Sequence, residues 1–142
     1  MSNHDSCIFC KIINKTIPAA IVYEDEHVLA FLDLSQVTKG HTLLIPKNHC
    51  KDVFELPEET AKHLFSKAPI IANAIKEAYS AEGLNLLNNN GEIAGQSVFH
   101  FHMHFIPRYG KGDGFGAVWK THESKYTPSD YQIIASEIAK HI

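Results

Sequence analysis

The sequence lacks any apolar run long enough to cross a membrane. No stretch approaches the ~18 consecutive apolar residues that a membrane-spanning helix needs. Residues 1–6 also lack the basic start and the apolar run of a signal peptide. These two absences predict a cytoplasmic protein with no membrane partner.

The sequence also lacks a large excess of charge of either sign. The chain carries 13 lysines and arginines against 16 aspartates and glutamates, and its formal net charge is −3. No block of Lys or Arg forms the basic footprint that a DNA or RNA polymer requires. We therefore expect no nucleic-acid polymer as a partner, and any nucleotide that the chain binds is expected to be small.

Cysteine is too rare for a scaffold held together by disulfides. The 142 residues include three cysteines, an odd number, and disulfides rarely persist in a reducing compartment. The composition is that of an ordinary globular protein, 44% hydrophobic and 20% charged. A chain of this kind buries a core without a disulfide or an obligatory metal. We therefore expect a single domain over residues 1–142.

The spacing of apolar residues predicts an α+β fold. Stripes with a period near 3.6 indicate helices, and short apolar runs between turn residues indicate strands. The predicted helices cover residues 7–14, 56–81 and 128–140, and the predicted strands cover residues 20–24, 27–32, 41–45, 84–87 and 98–106. Residues 88–92 suit a tight turn between the last two strands. This order predicts a mainly antiparallel five-stranded sheet with a long central helix and a C-terminal helix.

Three histidines alternate with apolar residues in the last predicted strand. Because alternate side chains of a strand share a face, His100, His102 and His104 are expected to point to one side. Crowding favours neutral imidazoles, and a neutral imidazole is either a nucleophile towards phosphorus or a metal ligand. The spacing alone does not separate a nucleophilic cluster from a zinc site that takes a further ligand from elsewhere.

Two cysteines near the amino terminus form a second motif, Cys7-x-x-Cys10. This spacing lets both thiolates reach one zinc ion but supplies only half of a tetrahedral site. A thioredoxin-like redox pair would need a βαβ context, which this order of elements does not offer. The third cysteine, Cys50, is predicted to be a small buried thiol and not a ligand.

A glycine-rich segment follows the histidines at residues 110–116. It fits neither GxxxxGK[ST] nor GxGxxG and opens no predicted helix. We therefore predict a flexible loop without a phosphate-binding role. Arg108, just before it, is predicted to serve surface solubility.

These motifs together resemble the histidine triad (HIT) superfamily. Residues 100–106 have its pattern His-apolar-His-apolar-His-apolar-apolar. The order of FLD at Phe31, HTLLIPK at His41 and GQSVFHFHMH at Gly95 is similar to the bacterial Hint-like branch of histidine triad nucleotide-binding proteins with an N-terminal CxxC. The similarity covers about residues 7–109 and leaves residues 110–142 as a C-terminal extension.

The resemblance implies a homodimer that cleaves at the α-phosphate of a purine nucleotide conjugate through a nucleotidyl-histidine. The conjugate would be a phosphoramidate, an acyl-nucleotide or a dinucleotide. His102 would be the nucleophile, and the carbonyl of His100 would hold its Nδ1–H. His104 would contact the phosphate, and His41 would be a fourth histidine of the site.

The resemblance also implies which residues hold the nucleotide. Asp33 would bond the ribose hydroxyls, and Asn89 would be a further polar residue of the site. The base pocket would consist of Phe9, Ile12, Phe31 and Leu34, and the phosphate-side loop would consist of Gly95, Gln96 and Ser97.

A structural zinc ion is implied as well, with no catalytic cofactor. Its ligands would be Cys7, Cys10, His49 and His100. The C-terminal extension would provide dimer or substrate contacts. Two alternatives stay open: a nucleotide-binding regulatory module with little turnover, and a zinc-dependent hydrolase with the metal on His102 and His104.

Overall fold

The computed structural model of the protein describes residues 4–142, so the first three residues of the segment without signal-peptide features lie outside it. The helices are α1 (Ile8–Ile13), α2 (Glu58–Tyr79) and α3 (Pro128–Ala139). The strands are β1 (Ile21–Glu24), β2 (Val28–Leu32), β3 (Thr42–Pro46), β4 (Gly83–Leu87) and β5 (Met103–Arg108). The predicted fold, with a five-stranded antiparallel sheet, a long central helix and a C-terminal helix, is confirmed.

The strands lie in the order β1-β2-β3-β5-β4, and each neighbouring pair is antiparallel. Directly opposed residues of antiparallel neighbours share a face of the sheet. Phe31 opposes Leu43, and Leu43 opposes His104, so His104 lies on the same face as these two apolar residues. α1 packs on this face, and α2 covers the opposite one.

α2 buries a single apolar stripe against the sheet. Its first turn contains Glu58 and Glu59, where the positive end of the helix dipole favours carboxylates. It ends at Ser80, which adopts a left-handed conformation with φ of 54°. The apolar side chains that it buries recur at helical spacing and are Leu64, Ala68, Ile71 and Ile75.

The last strand begins later than predicted. The predicted strand over residues 98–106 is wrong in its first half, because β5 covers only Met103–Arg108. Upstream of it, the N–H of Phe101 donates to the carbonyl of Cys50 at 2.7 Å, and the carbonyl of His102 accepts from Asn88 Nδ2 at 2.8 Å. Since partners outside the sheet already satisfy these backbone groups, the ladder starts only at Met103.

The predicted tight turn between β4 and β5 is also wrong. Residues 88–102 form a long connection that contains a short 3-10 helix, Glu92–Ala94. The Oδ1 of Asn90 accepts a hydrogen bond from the N–H of Val53 at 2.7 Å. The asparagines that suit a tight turn therefore fasten a long loop to another part of the chain.

The C-terminal segment keeps an apolar surface exposed. α3 begins with a capping box, in which Thr127 and Asp130 bond each other's backbone N–H. No residue of α3 is buried, and its exposed apolar side chains are Tyr131, Ile133, Ile134 and Ile138. Such a surface is typical of a face that packs against another molecule. Among the described residues, no helix has both the length and the apolar character needed to cross a membrane.

Candidate active site

The sheet brings together residues that lie far apart in the sequence. His104 is on β5, His102 lies just before that strand, and His41 lies just before β3. The ring centroids of His102 and His104 are 5.0 Å apart, and those of His41 and His104 are 5.1 Å apart. These three imidazoles form one cluster on the α1 face.

One nitrogen of the His102 imidazole is kept free. Its Nδ1 lies 2.8 Å from the carbonyl oxygen of His100, and a carbonyl only accepts, so Nδ1 carries the proton and Nε2 keeps its lone pair. Burial lowers the pKa of His102, which favours the neutral ring at pH 7. An imidazole in this state is equipped for nucleophilic attack.

A chain of hydrogen bonds sets the tautomers of His41 and His104. The N–H of Val37 donates to His41 Nδ1 at 3.2 Å, so the proton of the neutral His41 ring is on Nε2. His41 Nε2 lies 2.9 Å from His104 Nδ1 and donates to it. His104 Nδ1 therefore accepts, and its Nε2–H is left to donate to a ligand.

The carboxylate of Asp33 lies beside this pair. Its Oδ2 is 3.6 Å from His41 Nε2 and 4.0 Å from His104 Nδ1. The other oxygen accepts from the N–H of Ser35 at 2.8 Å. With 21% of its side chain exposed, Asp33 is accessible to a ligand at the mouth of the site.

The predicted base pocket is only partly assembled. Phe9, Ile12 and Phe31 are buried in one cluster. The ring of Phe9 stands edge-on to that of His102 at a centroid distance of 5.1 Å. Leu34 does not join them and is 92% exposed, because the turn that follows β2 carries its side chain outwards.

The residues of the predicted phosphate-side loop differ in their surroundings. Gly95 and Ser97 are exposed, whereas Gln96 is buried and its amide donates to the carbonyl of Lys51 at 2.7 Å. Gln96 therefore braces the loop. Asn89 borders Gly95, since a Cβ added there would lie 3.6 Å from Asn89 Nδ2.

A second cluster of ligand atoms lies next to His102. Cys10 Sγ is 3.3 Å from His49 Nδ1 and 3.5 Å from His100 Nδ1, and Cys7 Sγ is 3.5 Å from His100 Nδ1. His100 Nε2 lies 2.8 Å from the carbonyl oxygen of Pro46, so the proton is on Nε2 and the Nδ1 lone pair faces the sulfurs.

The spacing of these atoms fits a zinc ion. In a tetrahedral site with Zn–S of ~2.3 Å and Zn–N of ~2.1 Å, sulfur and nitrogen ligands are ~3.6 Å apart. The observed separations of 3.3 to 3.5 Å come close to this value. Cys50 lies outside the cluster, and burial raises the pKa of its thiol to about 11.

His100 thus differs from the other two alternating histidines. The expectation that all three side chains share one surface is corrected, because His100 precedes β5 and its ring faces the cysteines. Its carbonyl faces His102. One residue therefore links the two clusters, through its side chain on one side and its backbone on the other.

Sequence reasoning missed several groups that hold the site. Asn88, interpreted as a turn residue, donates to the carbonyl of His102. The N–H of Val37 orients His41, and no side-chain pattern reports on a backbone donor. Neither contact leaves a pattern in the neighbouring sequence, so only the folded structure reveals these two contacts.

The burial of His104 predicts that stability depends on pH. Burial, together with the nearby imidazoles of His102 and His41, lowers the pKa of His104 from 6.5 to about 4. Between these values the unfolded chain binds a proton that the folded chain does not. The contribution of His104 to the free energy of unfolding is therefore fully present above pH 6.5 and is lost as the pH falls towards 4. The loss is on the order of 3 kcal/mol.

Urea unfolding above and within this pH window tests the effect. His104→Gln should lose less stability on acidification than the unchanged protein. His122→Gln, at an exposed position, is the matched control and should behave like the unchanged protein. An equal loss in His104→Gln and the unchanged protein would contradict the expected role of His104.

Comparison with known proteins identifies relatives along most of the chain. The family model described as HIT domain matches residues 14–111. "Protein hit" of Bacillus subtilis is 66% identical over 138 residues, which are 97% of this chain and 95% of that protein. "Adenosine 5'-monophosphoramidase hnt1" of Schizosaccharomyces pombe is 37% identical over 137 residues, which are 96% of this chain and 98% of that protein.

Solved structures agree with these matches. A HIT family protein from Bacillus anthracis superposes with a TM-score of 0.95 at 64% identity and covers 97% of this chain and 98% of its own. A zinc-bound histidine triad family protein from Mycobacterium smegmatis superposes with a TM-score of 0.73 at 35% identity, over 94% of this chain and 97% of its own.

Proposed function

This chain belongs to the HIT domain family, and from that membership we propose that it is a nucleotidyl hydrolase or transferase. It cleaves at the α-phosphate of a purine nucleotide conjugate through a covalent intermediate on His102. The observation that carries the proposal is the 2.8 Å hydrogen bond from His102 Nδ1 to the carbonyl of His100, which leaves Nε2 free to attack. The relative named as an adenosine 5'-monophosphoramidase supports the substrate class.

In the first step, the Nε2 lone pair of His102 forms a bond to the α-phosphorus, and the bond to the leaving group breaks with its electron pair on that group. His104 Nε2–H donates a hydrogen bond to an oxygen that gains charge, and the leaving group takes up a proton from solvent. His41 Nε2–H donates to His104 Nδ1 at 2.9 Å, so the Nε2 proton of His104 stays directed at the substrate. Burial keeps His102 and His104 neutral before substrate binds.

In the second step, water attacks the same phosphorus. The P–N bond breaks, its electron pair returns to His102 Nε2, and the nucleoside monophosphate leaves. The proton that water gives up passes to solvent and balances the proton that the leaving group took up in the first step. The net reaction is hydrolysis, and an acceptor other than water would make it a transfer. This chemistry needs no catalytic cofactor.

The nucleoside half of the substrate is held by the mouth of the site. Asp33 accepts hydrogen bonds from the ribose hydroxyls, and Phe9, Ile12 and Phe31 form an apolar wall for the purine. Leu34 and Ser97 are exposed in the single chain. They contribute to the nucleotide site only when bound substrate or a second chain covers them. Asn89, Gly95 and Gln96 shape the phosphate side.

The Cys7, Cys10, His49 and His100 cluster holds a structural zinc ion. When bound, the metal ties α1 to the segment that precedes β5. The ring of His100 would offer its Nδ1 lone pair to the metal, while the carbonyl of the same residue orients His102. An odd count of three cysteines fits a reducing compartment and supports a cytoplasmic location.

The functional form of the protein is a two-fold homodimer. Each chain is a single HIT domain in which residues 110–142 form a C-terminal extension. Support comes from the apolar residues that this extension leaves uncovered. Trp119 is 79% exposed and Ile138 is 61% exposed, and a second copy would bury such side chains. Light scattering should give twice the chain mass of 15.9 kDa.

The alternatives are weaker on specific grounds. A zinc-dependent hydrolase would place the metal on His102 and His104, but His104 Nδ1 already accepts from His41 and its Nε2 carries the proton. A metal on His41 Nε2 would force a proton onto Nδ1, against the N–H of Val37. A regulatory module with little turnover explains neither the freed Nε2 of His102 nor the donor on His104.

Trapping the intermediate tests the proposal. The protein is mixed with an adenosine 5'-phosphoramidate and quenched in base, because a P–N bond hydrolyses in acid. Peptide mass spectrometry should find the nucleotidyl group on His102. A nucleotidyl group on another residue, or turnover with no adduct within a single turnover, would contradict the mechanism.

A further inference from the structure

The glycine-rich segment after β5 is held by one arginine. Arg108 Nη2 donates to Asp113 Oδ1 at 2.6 Å, and its Nε lies 3.0 Å from Asp113 Oδ2. The same guanidinium donates to Asn85 Oδ1 at 3.0 Å and to the carbonyl of Phe115 at 2.9 Å. The interpretation of Arg108 as a surface residue for solubility is therefore corrected, and the segment predicted to be a flexible loop is held by hydrogen bonds at residues 113 and 115.

The carboxylate of Asp113 also closes this segment on itself. Its Oδ2 accepts from the N–H of Tyr109 at 2.9 Å. Charge-assisted bonds of this bidentate kind are the strongest that side chains offer. We name residues 108–115 the β5 brace.

The β5 brace packs against residues 37–39. A Cβ on Gly114 would lie 2.8 Å from the carbonyl oxygen of Val37, and Gly114 has φ of +107°. The hydroxyl of Tyr109 donates to the carbonyl of Lys39. Thr38 Oγ1 donates to the carbonyl of Pro107 at 2.6 Å, just before the brace. Two hydrogen bonds and one close approach therefore hold the loop of residues 37–39 against the end of β5 and the brace.

That loop carries the donor that selects the His41 tautomer. The N–H of Val37 donates to His41 Nδ1 at 3.2 Å, and the N–H of His41 donates to the carbonyl of Thr38 at 3.1 Å. A shift of Val37 would weaken its bond to His41, and His41 would then be free to place its proton on either nitrogen. The donor on His104 depends on that choice, because His104 Nδ1 accepts from His41 Nε2.

We infer that Arg108, Asp113 and Gly114 are positioning residues, which hold Val37 against His41 and so fix the hydrogen-bonding direction of His104. The inference concerns the tautomers and stands whether or not the proposed reaction occurs. Its consequence for turnover rests on the proposed function. A purely structural staple for the C-terminal segment would alter stability but leave the tautomers unchanged.

Two glycines in the same loop provide a matched pair of variants. Gly114→Ala places a methyl group against the carbonyl of Val37. Gly112→Ala also strains a left-handed glycine, with φ of +77°, but its Cβ meets nothing within 4 Å. The two changes therefore share the backbone strain and differ in the contact with Val37. Tyr109→Phe, which removes only the bond to Lys39, is a milder second variant if Gly114→Ala does not fold.

Nitrogen-15 NMR of the histidine rings measures the tautomers directly. The unchanged protein should show His41 and His104 as neutral rings protonated at Nε2. Gly114→Ala, and Tyr109→Phe to a smaller degree, should move both signals towards a mixture of tautomers, whereas Gly112→Ala should not. Asp113→Asn should act like Gly114→Ala, and Asp113→Glu should restore part of the effect.

Turnover of the same variants provides the second readout. Gly114→Ala should lower kcat by roughly tenfold with little change in KM, since misplacement of a transition-state donor affects the chemical step. Equal ring signals in Gly114→Ala and Gly112→Ala would overturn the inference. If the unchanged protein showed no turnover, the proposed function would fail while the NMR comparison still decided the role of the brace.

Discussion

His102→Ala is expected to lower kcat for an adenosine 5'-phosphoramidate by about 10⁴-fold or more, because loss of a covalent nucleophile removes the path on which the other catalytic groups act. Nucleotide affinity should change by less than about threefold, which is below 1 kcal/mol. The predicted nucleotide contacts, Asp33 and the apolar wall of Phe9 and Phe31, stay in place. Steady-state kinetics and calorimetry with the nucleoside monophosphate measure the two quantities.

The control must separate chemistry from folding. His102 is 6% exposed, so alanine leaves a small polar cavity beside Phe9. Circular dichroism and unfolding curves of His102→Ala and of the larger His102→Gln show whether the fold survives. His122→Ala, at an exposed position, should retain full turnover. Turnover within tenfold of the unchanged protein in a folded His102→Ala would rule out His102 as the nucleophile.

The same experiment separates the proposal from its rivals. A regulatory module predicts little turnover even before substitution, together with unchanged nucleotide binding. A zinc-dependent hydrolase predicts that a chelator stops turnover and that added zinc restores it. The present proposal predicts that a chelator acts only through loss of stability.

The overall fold was largely readable from the sequence, because its elements follow from local periodicity. The stripe from Leu64 to Ile75 predicts a helix, and α2 spans Glu58–Tyr79. The apolar runs over residues 27–32 and 41–45 predict two strands, and β2 and β3 form at these positions. Each of these elements buries one apolar face, so the spacing of its apolar residues is sufficient to predict it.

The errors occur where distant partners satisfy the backbone. Strict alternation predicts that residues 98–102 belong to a strand. The N–H of Phe101 bonds Cys50, 51 residues away in sequence, and the carbonyl of His102 bonds Asn88. Neither partner changes the local pattern of apolar and polar residues. Periodicity therefore identified the clustered histidines but not the backbone that positions them.

Composition alone also underestimated Arg108. A single basic residue beside a glycine-rich segment is most often solvated. Asp113, five residues away, converts the segment into a closed turn through four hydrogen bonds from three donor groups on residues 108 and 109. A pairing of this kind depends on the turn conformation, which the spacing of one arginine and one aspartate does not define.

Cys10→Ser is expected to abolish zinc binding and to lower the free energy of unfolding by about 4 kcal/mol, the value for a ligand at 1,000 times its dissociation constant. Cys10 is fully buried, and its sulfur lies against both His49 and His100. Without the metal, the thiol of Cys7, the introduced hydroxyl and two imidazoles would remain as polar groups that pair only weakly with one another. α1 would then lose its attachment to the segment before β5.

Cys50→Ser is the matched control, because Cys50 is also buried but stands outside the Cys7, Cys10, His49 and His100 cluster. Elemental analysis should find one zinc ion per chain in the unchanged protein and in Cys50→Ser, and none in Cys10→Ser. The folded fraction of Cys10→Ser should keep most of its turnover, because no atom of the cluster attacks phosphorus in the proposed mechanism. Full zinc occupancy in Cys10→Ser, or equal loss of zinc in both variants, would show that the metal does not bind at this cluster.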